Sequence, residues 1–268
     1  LGELYQEGLG IEQNDDEAIR YFLQAAGQGN AEAQFTLGMK FSNGEGIPQD
    51  YTEAAKWLRR AAEQGNVRAQ VQLGLMCCKG EGVSRDYTEA MNWFHKAAQR
   101  GSTEGQFNLG LMYLTGRGMT RDYAEAAKWF LKAAEQGDAA AQSNIATMYL
   151  RGKGVAKDTA EASKWYLKAA EQGNAYAQNI LGKMYQTGNG IAQDAEEAVK
   201  WYRKAAEQGN VEAQVNLGLN YIQGKGMTRD DREAAQWFLK AAEQGNSFAQ
   251  YNLGLIYEKG QGVTPDIA

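Results

Sequence analysis

The feature that most constrains the fold of this chain is a repeat that keeps one register along the sequence. Gly-Asn dipeptides begin at Gly29, Gly65, Gly173, Gly209 and Gly245, and adjacent copies are 36 residues apart. All six tryptophans follow the same spacing, at Trp57, Trp93, Trp129, Trp165, Trp201 and Trp237. A repeat of this length cannot bury its own apolar face, so successive copies must stack and share a core.

The repeat predicts a single solenoid domain over residues 1–268, built from helix-turn-helix units. Leu1 aligns with Leu37 inside a helix, and Asp266 aligns with Asp50 just before one. We therefore expect the chain to be the middle of a longer protein. The repeats are a partial copy at 1–29, full copies at 30–65, 66–101, 102–137, 138–173, 174–209 and 210–245, and a partial copy at 246–268.

The first half of each repeat has the pattern of an amphipathic helix, which we call helix A. In residues 30–65 it is predicted over 31–43, with Asn30 as its N-cap and a Gly-Glu-Gly segment at 44–46 that ends it. Gly38 lies in the middle of this helix, where glycine costs about 1 kcal/mol relative to alanine. Its recurrence in other copies predicts a close approach of two helices, where a side chain would not fit.

The second half has the pattern of a helix B, from an N-cap at Asp50 to about Gln64. Glu53 lies three residues after Asp50, which predicts a capping box in which each side chain satisfies a backbone N–H at the helix start. Gly65 fits the left-handed position that follows a helix. The box recurs at Asp86/Glu89, Asp122/Glu125, Asp158/Glu161, Asp194/Glu197 and Asp230/Glu233.

Residues Val211–Asn246 carry the complete pattern: Ala-Gln-x-x-Leu-Gly-x-x-Tyr, then Gly-x-Gly, then Glu-Ala-Ala-x-Trp and Lys-Ala-Ala-Glu-Gln-Gly-Asn. This pattern resembles the Sel-1-like repeat (SLR) family, a relative of the tetratricopeptide repeats. The resemblance implies an all-α fold, an α/α right-handed superhelical solenoid whose A helices line the concave side. It also implies adaptor or receptor roles in bacterial protein complexes, which favours a periplasmic or secreted location and leaves a cytoplasmic one open.

Cysteine-rich bacterial members of that family pair cysteines within repeats, and this chain departs from them. Its two cysteines, Cys77 and Cys78, are adjacent. Neighbouring residues on a helix point about 100° apart, which does not suit a disulfide. Cys77 occupies the slot of Tyr113 and Tyr149, so we interpret it as a small buried hydrophobic side chain. A redox or metal role is the alternative.

Residues suited to catalysis or cofactor binding are scarce. The single histidine, His95, occupies a slot that holds leucine or arginine elsewhere, which predicts an ordinary helix-surface residue. The Asp/Glu pairs are explained as helix caps, and the Gly-x-Gly segments lack the strand that precedes a phosphate-binding loop. A net charge of −5 disfavours nucleic acid. We therefore predict no enzyme activity, no cofactor, no metal, no nucleic acid partner and no transmembrane segment.

By analogy with tetratricopeptide repeats, recognition is expected on the concave face at positions 2, 5, 6, 9, 12 and 13 of helix A, where Ala31 is position 1. An apolar patch with a polar rim is typical of a protein-binding site. Packing between adjacent A helices is the alternative at positions 5 and 9, and for position 5 we favour the groove. The predicted partner-binding residues are Phe35, Met39, Val71, Leu75, Phe107, Asn108, Leu111, Asn144, Asn179, Lys183, Val215, Asn216, Leu219, Tyr251, Asn252 and Leu255.

These observations predict a non-catalytic scaffold or adaptor that holds a protein or an extended peptide in its concave groove. Apolar side chains would anchor the partner, and asparagines would donate to and accept from its backbone. The alternative is a regulatory or targeting arm of a larger protein whose catalytic or membrane part lies outside this chain. Homotypic contact through uncapped repeat ends stays open, as do the identity of the partner and the oligomeric state.

Overall fold

The computed structural model describes residues 14–260, and every regular element in this range is an α-helix. Each repeat contributes a helix A and a helix B, as the sequence predicts; even-numbered helices are A helices and odd-numbered ones are B helices. The predictions that concern Leu1 and Asp266 lie outside the described residues. In chain order the helices are α1 Asp15–Gly27, α2 Ala31–Asn43, α3 Tyr51–Glu63, α4 Val67–Lys79, α5 Tyr87–Gln99, α6 Thr103–Thr115, α7 Tyr123–Glu135, α8 Ala139–Arg151, α9 Thr159–Glu171, α10 Ala175–Thr187, α11 Ala195–Glu207, α12 Val211–Gln223, α13 Asp231–Glu243 and α14 Ser247–Glu258.

Contacts divide the chain into two compact units, unit 1 over Leu1–Lys132 and unit 2 over Ala133–Ala268. Within unit 1, each helix from α1 to α6 packs against the next in chain order. Within unit 2, the helices from α8 to α14 do the same. This succession of helix pairs confirms an α/α solenoid of repeats of about 36 residues, while the single domain 1–268 stays a prediction.

The aspartate before each helix B caps it, but the predicted capping box forms only in half. Asp50 Oδ1 accepts the backbone N–H groups of Thr52 and Glu53 at 2.8 and 3.0 Å. The Asp50 N–H, which the box would bond to Glu53, donates instead to the carbonyl of Phe41 in helix A at 2.9 Å. Glu53 pairs with Lys56 at 2.6 Å. The prediction is therefore right for the aspartate and wrong for the glutamate.

Glycines recur where the backbone or the packing excludes a side chain. Gly65 has a φ of +89°, the left-handed conformation predicted for it. Gly38 in α2 is a packing glycine, because a Cβ there would lie 2.6 Å from Leu58 Cγ in α3. At Gly110 in α6 a Cβ would lie 2.8 Å from Phe130 Cδ1. The predicted close approach of helices A and B is therefore confirmed.

A buried glutamine in helix A links three helices by hydrogen bonds. Gln178 in α10 donates to the Ala170 carbonyl near the end of α9 at 3.0 Å, and it accepts from Gln208, just after α11, at 2.7 Å. The same two bonds recur in unit 2 at Gln142 and Gln214. The glutamine thus fastens each repeat to the preceding one, a role that the sequence pattern alone does not show.

In unit 1 this arrangement is interrupted at Gln70. Gln70 Nε2 donates to the Ala62 carbonyl at 3.1 Å, but the buried Gln70 Oε1 has no hydrogen-bond partner within residues 14–260. The position that supplies the donor elsewhere holds Arg100, whose Nη1 donates to the Gly65 carbonyl at 2.6 Å. A buried acceptor without a partner costs about 1–3 kcal/mol.

Candidate protein-binding surface

The predicted recognition residues lie on what we call the A face, formed by α2, α4 and α6 in unit 1 and by α8, α10, α12 and α14 in unit 2. Tyr251 is exposed, at 66%. Val71 and Asn179 are buried, at 2% and 1%, so neither side chain is available at the surface. The remaining predicted residues are half-buried: Phe35, Met39, Leu75, Phe107, Asn108, Leu111, Asn144, Lys183, Val215, Asn216, Leu219, Asn252 and Leu255.

The A face of unit 1 carries an apolar row. Met39 and Leu75 share position 9, and both are half-buried against the core of this unit. Leu111 holds the same position on α6 and is half-buried as well. Phe107 packs against Phe130 of α7, with ring centroids 5.8 Å apart. These side chains therefore pack inward on one side and remain at the surface on the other.

An ion pair covers the end of this row at Phe35. Arg68 on α4 lies over the Phe35 ring, 4.4 Å from its centroid, and also pairs with Glu32 on α2. A cation–π contact of this kind contributes about 0.5–1 kcal/mol at an exposed site. Glu32 also accepts from Asn66 Nδ2 at 3.1 Å. Position 2 of helix A therefore belongs to the same surface, in line with the analogy to tetratricopeptide repeats, although no residue at this position is among the predicted partner-binding residues.

The A face of unit 2 is polar at its centre, and its side chains bond to one another. Glu212 Oε2 on α12 accepts from Lys183 Nζ at 2.9 Å and from Asn179 Nδ2 at 3.0 Å, both on α10. Asn179 Oδ1 accepts in turn from Asn216 Nδ2 at 3.1 Å. The hydrogen bond from Lys183 lowers the pKa of Glu212 below its ordinary value. The amide of Asn179 is therefore used inside the protein, which corrects its predicted place in the groove.

Two tyrosines of the B helices support polar side chains of this face. Tyr166 OH lies 2.8 Å from Thr147 Oγ1, and Tyr202 OH donates to Gln186 Oε1 at 2.7 Å. Burial raises the pKa of both hydroxyls, so they stay protonated. In unit 1 the equivalent position holds Phe130. The change from phenylalanine in unit 1 to tyrosine in unit 2 at this position is the sequence signal that could have predicted these hydrogen bonds.

The asparagines at position 6 are less versatile than predicted. Asn108, Asn144 and Asn252 each donate to a carbonyl of their own helix four residues earlier, at 2.7–2.9 Å. Their amide oxygens have no hydrogen-bond partner in the part of the chain that the structure describes. These side chains therefore offer mainly acceptors, whereas the sequence suggests donors and acceptors alike.

His95 and Cys77 are packed against the interior of unit 1. His95 is a half-buried residue on the surface of α5, and its ring meets Trp129 edge-on, with centroids 5.8 Å apart. Cys77 is buried, as predicted, and burial raises the pKa of its thiol to about 12. Within residues 14–260, no three His, Cys, Asp or Glu side chains converge to hold a metal ion. Nor does any helix of that range have the length and apolar character needed to cross a bilayer.

A cleft of about 490 Å³ opens on the B-helix side of unit 2, between α11 and the turn at Gly226. Most of the charged groups that line it are already engaged. Lys200 pairs with Glu197 at 2.6 Å, and Arg203 donates to Tyr221 OH at 2.7 Å. Because these groups are satisfied, the cleft offers a ligand less than the A face does.

Eight consecutive matches to the model of the Sel1 repeat cover the chain, at residues 1–30, 31–66, 67–102, 103–138, 139–174, 175–210, 211–246 and 247–268. The chain belongs to the Sel1 repeat family. The limits of these repeats lie one residue later than those assigned from the sequence. Sel1 repeat proteins generally mediate protein–protein interaction and are typically non-catalytic scaffolds.

Two solved structures of bacterial proteins are similar to this Sel1 repeat chain. One is a protective antigen of uropathogenic Escherichia coli strains with an SLR fold: 40% identity, a TM-score of 0.94, and coverage of 100% of this chain and 57% of that one. The other is a Sel1 repeat protein from Oxalobacter formigenes: 39% identity, a TM-score of 0.80, and coverage of 100% and 78%. The chain thus spans little more than half the length of the E. coli antigen. Among proteins with a curated function, none matches it.

Proposed function

We propose that this chain is a non-catalytic scaffold that binds a protein or an extended peptide on its A face. The observation that carries the proposal is the half-buried apolar row of unit 1, Met39, Leu75 and Leu111, with Phe35 and Phe107 beside it. Such side chains become more buried when a partner covers them, which contributes about 25 cal/mol per Å² of apolar surface. A protein partner with apolar anchors fits this row best.

Two features favour one defined binding mode in unit 1. Arg68 holds the ring of Phe35, and Phe130 holds the ring of Phe107, so both rings are ordered before a partner arrives. This order lowers the entropic cost of binding. Asn108 adds an amide oxygen beside the row, an acceptor suited to a backbone N–H. We therefore expect a partner segment that alternates apolar side chains with accessible backbone N–H groups.

In unit 2 the polar side chains of the A face are better suited to discriminating between partners than to anchoring one. Lys183, Glu212 and Asn179 satisfy one another. A partner that covers them without replacing lost hydrogen bonds therefore binds more weakly. Leu219 and Leu255 remain half-buried apolar contacts in this unit. We expect a partner segment that binds to unit 2 to be polar where it contacts Lys183.

The absence of catalysis is part of the proposal because the surroundings of the cysteine and the histidine do not favour it. The Cys77 thiol is buried and its pKa is raised, and the His95 ring is packed against Trp129. A nucleophile and its base have to meet a substrate together to support covalent catalysis. Recognition is the activity that the described residues support.

A regulatory or targeting arm of a larger protein is the second candidate. The observation that favours it is the length of the relatives, since the chain spans 57% of the E. coli antigen and 78% of the O. formigenes protein. In that arrangement the A face would hold another domain of the same protein. The domain content of the full-length gene product distinguishes the arm from the independent scaffold.

The A-face proposal is tested with peptides selected from a phage-displayed library on the wild-type chain. Their affinities are then measured for a variant that combines Phe35→Ala, Phe107→Ala and Leu111→Ala, and we expect a loss of about 2–4 kcal/mol in binding free energy. The matched control replaces Leu23 and Leu239, exposed leucines of the B helices, by alanine. Circular dichroism checks that both variants are folded. Unchanged affinity in the triple variant would reject the A face.

A further inference from the structure

Three arginines of unit 1 cluster outside the A face, where the turns meet the starts of the B helices. Arg85 precedes α5, Arg117 lies in the turn after α6, and Arg121 precedes α7. All three are exposed, and within residues 14–260 none of them takes part in an ion pair. The chain carries a net charge of −5, so these three exposed arginines form a positive cluster on an acidic protein.

Two tyrosines hold these arginines in place. Arg85 and Arg117 both lie 5.9 Å from the centroid of the Tyr87 ring, although they come from successive repeats. Arg121 lies 5.7 Å from the centroid of the Tyr123 ring and donates to its hydroxyl at 3.1 Å. Stacking on an aromatic ring restricts a guanidinium without neutralising its charge. The cluster is therefore ordered and still positive.

The carboxylates nearest in sequence are committed to other bonds. Asp86 Oδ1 accepts two backbone N–H groups at the start of α5, at 2.8 and 3.0 Å. Asp122 Oδ1 does the same at the start of α7, at 2.9 and 3.0 Å. Glu125 pairs with Lys128 at 2.5 Å. Asp86 and Asp122 keep their negative charge in these bonds, but within residues 14–260 neither they nor Glu125 forms an ion pair with an arginine of the cluster.

The turn before α13 in unit 2 provides an internal comparison. Arg229 occupies the same slot as Arg85 and Arg121. Two residues later the chain has Asp231, at the position that holds a tyrosine after each of those two arginines. The Asp231 carboxylate accepts from Arg229 Nε and Nη2, each at 2.9 Å. At this turn the protein neutralises its own arginine, whereas the tyrosines of unit 1 leave the charge free for a partner.

We propose that Arg85, Arg117 and Arg121 bind an acidic peptide segment of a partner protein, rich in aspartate or glutamate. A guanidinium recognises a carboxylate through two parallel N–H···O bonds, and the neighbouring tyrosine rings can pack against the partner's methylene groups. A short segment fits better than a long polyanion, because the cluster is small and the chain around it is acidic. This surface goes beyond the A face and gives the scaffold electrostatic complementarity, which governs specificity and the rate of association.

The test measures the fluorescence anisotropy of a labelled oligoglutamate peptide as the whole chain is added. We expect binding that weakens as the salt concentration rises, because exposed charges are screened. A variant with Arg85→Gln, Arg117→Gln and Arg121→Gln should bind the peptide at least about tenfold more weakly. A second variant, Tyr87→Asp with Tyr123→Asp, copies the neutralised turn of unit 2 and should weaken binding in the same way. Circular dichroism checks that it is folded, because Tyr87 packs against the core of unit 1.

Arg229→Gln is the matched control, because Asp231 already neutralises that arginine, and it should leave the affinity for oligoglutamate unchanged. The A-face variant should also bind oligoglutamate like the wild type, which separates the two surfaces. Equal affinity of the triple arginine variant and the wild type would overturn the proposal. Tighter binding of a labelled oligothymidylate than of oligoglutamate would also overturn it, since the cluster would then favour nucleic acid over an acidic protein segment.

Discussion

The A faces of the two units are built on the same repeat, yet one is apolar and the other is polar at its centre. Unit 1 has Leu111 and Phe130 in the slots where unit 2 has Thr147 and Tyr166, whose hydroxyls lie 2.8 Å apart. The second polar pair of unit 2, Tyr202 OH and Gln186, follows the same rule. The comparison teaches that the character of this face is determined by pairs of residues, one on helix A and one on helix B.

The interior of unit 1 departs from the common glutamine pattern at one repeat, although Gln34 of the same unit accepts from Gln64 at 2.7 Å as the pattern requires. In unit 2 the buried glutamines Gln142, Gln178 and Gln214 each accept from a glutamine that follows helix B. In unit 1 the acceptor of Gln70 has no partner within residues 14–260, because Arg100 occupies the donor position. A buried polar side chain of the repeat is thus accommodated without a cost in stability only when the residue at its partner position can bond to it.

The largest expected effect concerns the helix-A glycine, a position that is tight at Gly110 in unit 1 and at Gly182 in unit 2 but open at Gly254 in the last described helix. Gly110→Leu in unit 1 places a side chain where even a Cβ lies 2.8 Å from Phe130 Cδ1. It should lower the free energy of unfolding by about 3 kcal/mol or more, because the helices must move apart. Urea denaturation followed by circular dichroism measures the change.

The control for this prediction is the same substitution in unit 2. A Cβ on Gly254 of α14 would have no atom of the described residues within 4 Å. Gly254→Leu should therefore leave the free energy of unfolding unchanged or raise it by up to about 1 kcal/mol, because leucine favours the helix more than glycine does. Equal losses at both glycines would show that the tight contact is not the cause.

The next prediction transfers a polar pair from unit 2 to unit 1. Phe130→Tyr adds a hydroxyl at a fully buried position and should lower the free energy of unfolding by about 1–3 kcal/mol. Adding Leu111→Thr recreates the pair formed by Thr147 and Tyr166, and it should recover about 1 kcal/mol of that loss. A double-mutant cycle measures the coupling. If the changes in unfolding free energy of the two substitutions simply add, residue pairs do not determine the character of the two A faces.

The fold could be predicted from the sequence because its determinants act locally or recur in every copy. The N-caps Asn30 and Asp50 bond to residues two or three positions away, and Gly65 takes the left-handed conformation expected of it. Gly38 acts over a longer distance, but its recurrence in the repeat reveals the close helix packing. Each of these roles is confirmed.

The candidate site was harder to predict because its side chains have partners in neighbouring repeats. Asn179 resembles a groove residue until Glu212 and Asn216, from the next repeat, are seen to bond to its amide. Arg68, which belongs to the next repeat, covers the ring of Phe35 in the same manner. Comparing equivalent slots one at a time cannot show which neighbours meet, so it identifies variable positions but not the bonds between them.

A smaller effect is expected when the interrupted glutamine contact of unit 1 is restored. Arg100→Gln supplies the missing donor to Gln70 and should raise the free energy of unfolding by about 1 kcal/mol, less the contribution of the lost bond to the Gly65 carbonyl. Gln172→Arg in unit 2 is the reverse change, because it removes the donor to Gln142, and it should destabilise the chain by a similar amount. If both substitutions shift the urea midpoint in the same direction, the two units do not differ in the way described.

The smallest effect is the part of the pH dependence of stability that arises at the polar centre of unit 2. Lys183 lowers the pKa of Glu212 from its ordinary value of 4.5, so the pair contributes stability above that pH and loses it as the pH falls through the folded-state pKa. Both side chains are well exposed, at 43% and 66%, so solvent screening limits the contribution to about 0.5 kcal/mol or less. Glu212→Gln should therefore narrow the difference in unfolding free energy between neutral and acidic pH, at low salt, by that amount. Lys183→Gln should have the same effect because it removes the other half of the pair, and a pH dependence equal to that of the wild type in this variant would mean that Lys183 does not shift the pKa of Glu212.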